Sequence, residues 1–215
     1  MTSESVLIGP LALPGAMTLP PAAHGIVVFA LGSGSSRNSP RNRAVAQVLH
    51  QRRIATLLFD LLTEAEAADR ENVFDIDLLA QRLAQALDWW RSSDAVHALP
   101  LGLFGASTGA AAALVASAQR PSEVAALVSR GGRPDLAGAA LGDVRTPTLL
   151  IVGAADTEVL QLNRFAYARL KCEKRLEIVP RATHLFAEAG ALEAVATLAR
   201  DWFVAHFGAG GAREA

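Results

Sequence analysis

Cysteine is almost missing from this chain: Cys172 stands alone among 215 residues. An internal disulfide framework is therefore excluded, and a reducing compartment suits the composition. Excess charge is missing too, with 20 basic against 21 acidic residues and a formal net charge of −1. That removes the electrostatic case for nucleic acid or an anionic membrane as partner. Long apolar runs are also lacking. The first residues, Met1-Thr2-Ser3-Glu4-Ser5, carry no basic segment, and Pro10, Pro14, Pro20 and Pro21 interrupt the apolar residues after them. Neither a signal peptide nor a membrane span is expected, and the expected location is cytoplasmic. No Gly-Lys-Ser/Thr occurs, which excludes a P-loop.

What is present is the material of a packed globule. Hydrophobic residues make up 51% of the chain and charged ones 19%, and a chain of this size buries a sizeable core without staples. Residues 1–215 read as one domain, with an N-terminal edge hairpin in 1–24 and a fraying tail in 208–215. Gly25 to Leu31 and Ile54 to Phe59 are short apolar runs of the kind that form buried parallel strands. So are Leu101 to Phe104, Val124 to Val128 and Thr148 to Val152, and Arg175 to Val179 reads as a further strand. Helical patterns separate them at 43–52, 75–90, 108–119, 159–170 and 191–207, while Glu64 to Asn72 reads as a charged connection. Alternating strands and helices predict an α/β fold, a mostly parallel sheet covered on both faces. Ligands of such sheets bind beyond the carboxyl ends of the strands.

One short stretch lies at such an end and carries chemistry. Gly105-Ala106-Ser107-Thr108-Gly109 joins an apolar run to an Ala-rich helix former, the Gly-x-Ser-x-Gly pattern of a serine on a tight strand-to-helix turn. A serine nucleophile needs a base, and the base needs an acid to hold its tautomer. His184 follows the last strand directly and is the candidate base. His24, His50, His97 and His206 read as packing or solvent residues. Asp156 lies just past Val152-Gly153-Ala154 and completes the order Ser107, Asp156, His184 expected with this elbow. Its competing reading is a helix N-cap before Thr157 and Glu158, and Glu158 is a weaker rival acid. Asp60 also ends a strand and reads as a loop or capping residue. The N–H groups of Thr108 and Ser33 are the expected oxyanion donors.

These stretches together carry a resemblance. Ala30-Leu31-Gly32-Ser33-Gly34-Ser35-Ser36, the Gly105–Gly109 elbow, Pro147 to Asp156 and Ala182-Thr183-His184-Leu185-Phe186 occur in the order of the dienelactone hydrolase-like α/β-hydrolases. The chain resembles that group from Val27 onward. The resemblance implies an α/β-hydrolase fold without a cap domain and a Ser-His-Asp hydrolase of small or short-acyl esters or lactones, with no cofactor and no metal. Two departures stand out. Leu31 occupies the place of the family's usual histidine, and Ser107 that of the cysteine nucleophile of dienelactone hydrolases proper. Cys172 reads as lying in a helix far along the chain. Only a short segment, 129–147, follows the Val124–Val128 strand, so an open, lidless site is expected. Gly34, Ser35, Arg130 and Arg133 are candidate substrate contacts, although both arginines could instead pair locally with Asp135 or Asp143. The expected partner is a small-molecule ester, and the expected assembly a monomer or homodimer. A dinucleotide fold fits poorly, because Arg37 stands where a third glycine belongs. A hydrolase fold used only for binding, or a thioesterase or amidase on the same machinery, remains the alternative.

Overall fold

The computed structural model describes residues 1–32 and 35–208. Among them an eight-stranded sheet runs in the spatial order β1-β2-β4-β3-β5-β6-β7-β8. The strands are β1 Thr2–Ile8, β2 Leu13–Leu19, β3 Gly25–Ala30 and β4 Ile54–Phe59, then β5 Leu101–Ala106, β6 Val124–Arg130, β7 Thr148–Gly153 and β8 Lys174–Val179. The first two form an antiparallel edge hairpin, and β2 pairs antiparallel with β4. All other neighbours are parallel. The central strands β3, β4, β5 and β7 are buried at every position. This accounts for their unbroken apolar sequence, since both faces of the sheet are covered.

Two apolar cores lie on the two faces. One takes Leu79, Leu83 and Leu87 from α4 (Ile76–Ser92) and Ala111 to Ala116 from α5 (Thr108–Gln119). The other takes Val45 and Leu49 from α1 (Pro40–His50) and Val195, Ala199 and Phe203 from α7 (Ala191–Gly208). Each large aliphatic side chain so enclosed contributes about 1.5–3 kcal/mol. Helix α6 (Thr157–Arg169) joins the first core through Ala166. Among the described residues, no helix is long and apolar enough to cross a membrane.

Several elements differ from expectation. Helix α1 starts at Pro40, which fits the first helical turn because that turn needs no N–H from it. The segment read as a charged connection holds two short helices, α2 (Glu64–Ala68) and α3 (Arg70–Phe74). Thr63 and Glu66 close a reciprocal capping box at the first of them. Strand β6 continues through Ser129 and Arg130, because these pair with Gly105 and Ala106 on one side and Leu150 and Ile151 on the other. Cys172 is not helical: α6 ends at Arg169, and Cys172 lies in the bend that returns the chain to β8.

The chain steps from β3 to β4 on one side and then crosses back past β3 to reach β5 on the other. The order therefore reverses between β3 and β5. That reversal opens a crevice at their carboxyl ends, the usual ligand position in an open α/β sheet.

Candidate active site

Ser107 stands on one wall of that crevice. Its backbone has φ 52°, a conformation most residues avoid and one that the strand-to-helix turn imposes here. The flanking glycines make the turn possible. A Cβ on Gly105 would lie 2.5 Å from Ala110 Cα, and one on Gly109 would lie 2.2 Å from the Ala30 carbonyl oxygen. Thr108 opens α5, so its N–H belongs to the positive end of that helix. Ser107 occupies the N-cap position, yet its side chain makes no capping bond. The other wall is the exit of β3. A Cβ on Gly32 would come within 2.6 Å of Ser107 Cβ, so the Leu31–Gly32 connection runs directly against the serine. The candidate donor Ser33 and the candidate contact Gly34 lie outside the described residues.

Asp156 and His184 meet. The His184 Nδ1 and the Asp156 Oδ2 are 2.7 Å apart, with Asp156 the less exposed, 14% against 42% for the histidine. Asp156 is at the N-cap position of α6 and makes no side-chain cap bond there. The capping reading of this residue therefore gives way to pairing with the imidazole. Glu158 is exposed in the first turn of α6. Backbone bonds bring the two loops together: Ala154 N–H donates to the Val179 carbonyl and Ala155 N–H to the Ala182 carbonyl, each at 2.9 Å. Gly153 permits this approach, since a Cβ there would be 2.2 Å from the Ala182 oxygen. Phe186, 1% exposed, anchors the far side of the histidine loop in the core. No hydrogen bond joins Ser107 Oγ to His184 among the described residues. Such bonds in unliganded sites commonly tighten when substrate arrives.

Behind both residues runs the turn Gly131-Gly132-Arg133. Its Arg133 N–H donates to the Ser107 carbonyl at 3.0 Å. Gly131, at φ +50°, packs against the histidine, where a Cβ would lie 3.6 Å from His184 Nδ1. Asn163 of α6, fully buried, holds the middle of the turn by donating Nδ2–H to the Gly132 carbonyl at 3.1 Å. Sequence reading passes over Asn163. The available signal is a polar amide on the face of α6 that carries Leu160 and Ala166 into the protein.

The two candidate arginines part company. Arg133 forms a two-bond ion pair with Asp135, at 2.9 and 2.8 Å, and that local partner raises the pKa of its guanidinium. Arg130 is not at a site mouth but buried at the end of β6, 8% exposed. Burial, followed by the neighbouring Arg41, lowers its pKa to about 10. Ser35 lines a cavity of about 460 Å³ together with Leu31, Gly32 and Thr108, within the size range of small-molecule sites. Leu61, Leu62 and Val73 supply apolar wall, and Asp60 and Arg37 polar rim. Asp60 accepts from the Arg37 backbone and pairs with its guanidinium. Part of the wall is thus contributed by Glu64 and Ala67 of α2, where the sequence suggested only a charged connection, and by Val73 of α3 just beyond it. Among the described residues no group of three or more His, Cys, Asp or Glu is gathered as a metal site.

No protein-family model matches the chain. The crystal structure of a dienelactone hydrolase from Anabaena variabilis is 54% identical, with a TM-score of 0.91 over 95% of this chain and 97% of that one. Est1E from Butyrivibrio proteoclasticus, 13% identical with a TM-score of 0.81 over 97% of this chain and 100% of that one, shares the fold. A Mycobacterium tuberculosis protein named "Putative phosphoribosyl transferase" is 57% identical over 201 residues, 94% of this chain. The chain spans 45% of that curated relative's length.

Proposed function

We propose that this chain, which belongs to the dienelactone hydrolase-like α/β-hydrolases, is a serine hydrolase of small or short-acyl carboxylic esters or lactones. The observation that carries the reading is the Asp156–His184 contact of 2.7 Å at the same sheet end as Ser107. In this mechanism Ser107 Oγ attacks the ester carbonyl while His184 Nε2 takes its proton. Asp156 holds Nδ1–H and stabilises the imidazolium. The negative charge developing on the carbonyl oxygen is met by the Thr108 N–H at the start of α5, and the family resemblance assigns a second donor to Ser33. Collapse expels the alcohol, which takes the proton from His184 and leaves an acyl-Ser107. Water then attacks that acyl group with His184 again as base, and the acid product leaves. No cofactor or metal enters these steps.

A cavity of about 460 Å³ beside Thr108 suits a short acyl or alcohol group. Leu31, 4% exposed, packs in the core beneath α1 and lines that cavity. The oxyanion contribution assigned to its loop is consequently one of backbone groups. A serine-directed fluorophosphonate tests the proposal. Labelling of the native chain that disappears in Ser107→Ala is expected, and an unlabelled native chain sinks the reading. An ester series of rising acyl length tests the substrate class, with turnover expected to fall for long chains.

A further inference from the structure

Arg130 is a charged side chain that finds no partner for its buried donors among the described residues. Its Nε and Nη1 are buried and make no hydrogen bond, and an unpaired buried charge is strongly unfavourable. Strand alternation tells where it points. Ser129 Oγ lies toward α5, where a Cβ on Gly132 would meet both that oxygen and Ala110. Arg130 therefore faces the α1 and α7 layer. The charged group acting on it there is Arg41, another cation. Arg41 also has a buried Nε without a partner. It stands in the first turn of α1, which is 11 residues long, has no acidic residue in that turn and receives no side-chain cap from Ser39. Two guanidinium groups, one of them at the positive end of a helix, lie near enough to act on each other, and among the described residues no acid is seen to act on Arg130.

This place adjoins the candidate acyl site. Arg130 pairs in register with Ala106, the residue before Ser107. Asn42, next to Arg41, donates Nδ2–H to Ser35 Oγ at 3.1 Å, and Ser35 lines the cavity beside Thr108. A planar carboxylate of one negative charge is satisfied by a single arginine fork. Two forks and a helix N-terminus match a phosphate monoester, with about two negative charges and three acceptor oxygens. We infer that Arg41, Arg130 and the N-terminus of α1 form a subsite for a phosphate monoester group carried by the substrate. Its place in catalysis rests on the hydrolase reading above, whereas its anion binding does not.

The test uses the intact chain in two measurements. Calorimetric titration with inorganic phosphate is expected to show binding that weakens about tenfold or more in Arg41→Gln and in Arg130→Met. Kinetics then compare three acetyl esters, those of 2-hydroxyethyl phosphate, 3-hydroxypropanoate and 1-butanol. The phosphorylated ester is expected to have the highest kcat/KM by about tenfold, through KM, with that preference lost in Arg41→Gln. Arg41 is only partly buried, so this variant serves if Arg130→Met fails to fold. Absence of phosphate binding to the native chain overturns the subsite. Preference for the carboxylate ester overturns the phosphate class. Phosphate binding with equal turnover of all three esters overturns the link to substrate and leaves a site for free phosphate. If no ester is turned over and fluorophosphonate does not label the chain, the hydrolase reading fails while the titration still decides the anion site.

Discussion

Six helix starts divide into two groups of three. In the connection from β4 to β5, Thr63, Asp69 and Asp75 open α2, α3 and α4, and each side chain accepts a hydrogen bond from a backbone N–H of its helix. At the carboxyl ends of β3, β5 and β7, Ser39, Ser107 and Asp156 hold the same position for α1, α5 and α6, and none of their side chains caps. The residue types are equally able to cap in both groups. A cap contributes about 1 kcal/mol, so three such contributions are forgone around the crevice and taken in the connection beside it. The first group stabilises helices. The second leaves a hydroxyl, a carboxylate and a helix N-terminus available to something other than the helix.

The sharpest way to break this contrast is at Ser107. Ser107→Ala is expected to lower kcat/KM by about 10⁴-fold or more while leaving the melting temperature near that of the parent. A drop in stability like that of a lost cap, with turnover retained, would put Ser107 in the wrong group. Next comes Asp156→Asn, expected to cost about 10³–10⁴-fold in kcat without loss of stability. Its control is Asp75→Ala, which is expected to destabilise by about 1 kcal/mol with turnover per folded molecule unchanged; steady-state kinetics and denaturant melts on both variants read the difference. Asn163→Asp keeps the volume but removes the donor to the Gly132 carbonyl. It is expected to lower kcat by about 10–100-fold, with KM moving little and stability falling by about 1–3 kcal/mol.

The smallest effect concerns acid. The Thr63 backbone N–H, then Arg82, hold Glu66 below the ordinary carboxylate value of 4.5. A lowered native pKa gives stability that is present above the unfolded value and is lost as the pH falls through the folded one. Melting temperatures followed downward from pH 5 are thus expected to fall less steeply in Glu66→Gln than in the parent. Equal slopes would remove the carboxylate from the capping box.

The strands are legible in the sequence because buried parallel strands leave little choice of residue: the apolar run Ile54–Phe59 coincides with β4 from end to end, and Thr108–Gln119 begins at the elbow as expected. Ser107, Asp156 and His184 are legible as an order along the chain, since the sheet places strand exits at one end. Other features depend on tertiary packing. Whether Asp156 caps α6 or meets His184 is decided by the Ala155–Ala182 bond between two distant loops. The burial of Arg130 follows from two more residues of pairing on β6, which a break at Val128 conceals. Helices α2 and α3, five residues each, lack an apolar period long enough to register, although Thr63-x-x-Glu66 carries a capping signature. Asn163 gives no periodic signal at all, because its role lies in one hydrogen bond to a turn 31 positions earlier.

The crossing of β3 and α5 at Gly109 has a consequence for how such a protein changes over time. Ser107 owes its backbone to the turn, and its side chain contributes nothing to holding α5 in place. Replacing oxygen by sulfur there alters the proposed nucleophilic atom and little else. A single methyl on Gly109 would collide with the Ala30 carbonyl at 2.2 Å and push the helix off the sheet. The side chain at position 107 is therefore the exchangeable part of the elbow and the blank glycine the fixed one. Along a lineage built on this scaffold, the side chain on the turn can be traded while the position that bears none stays put.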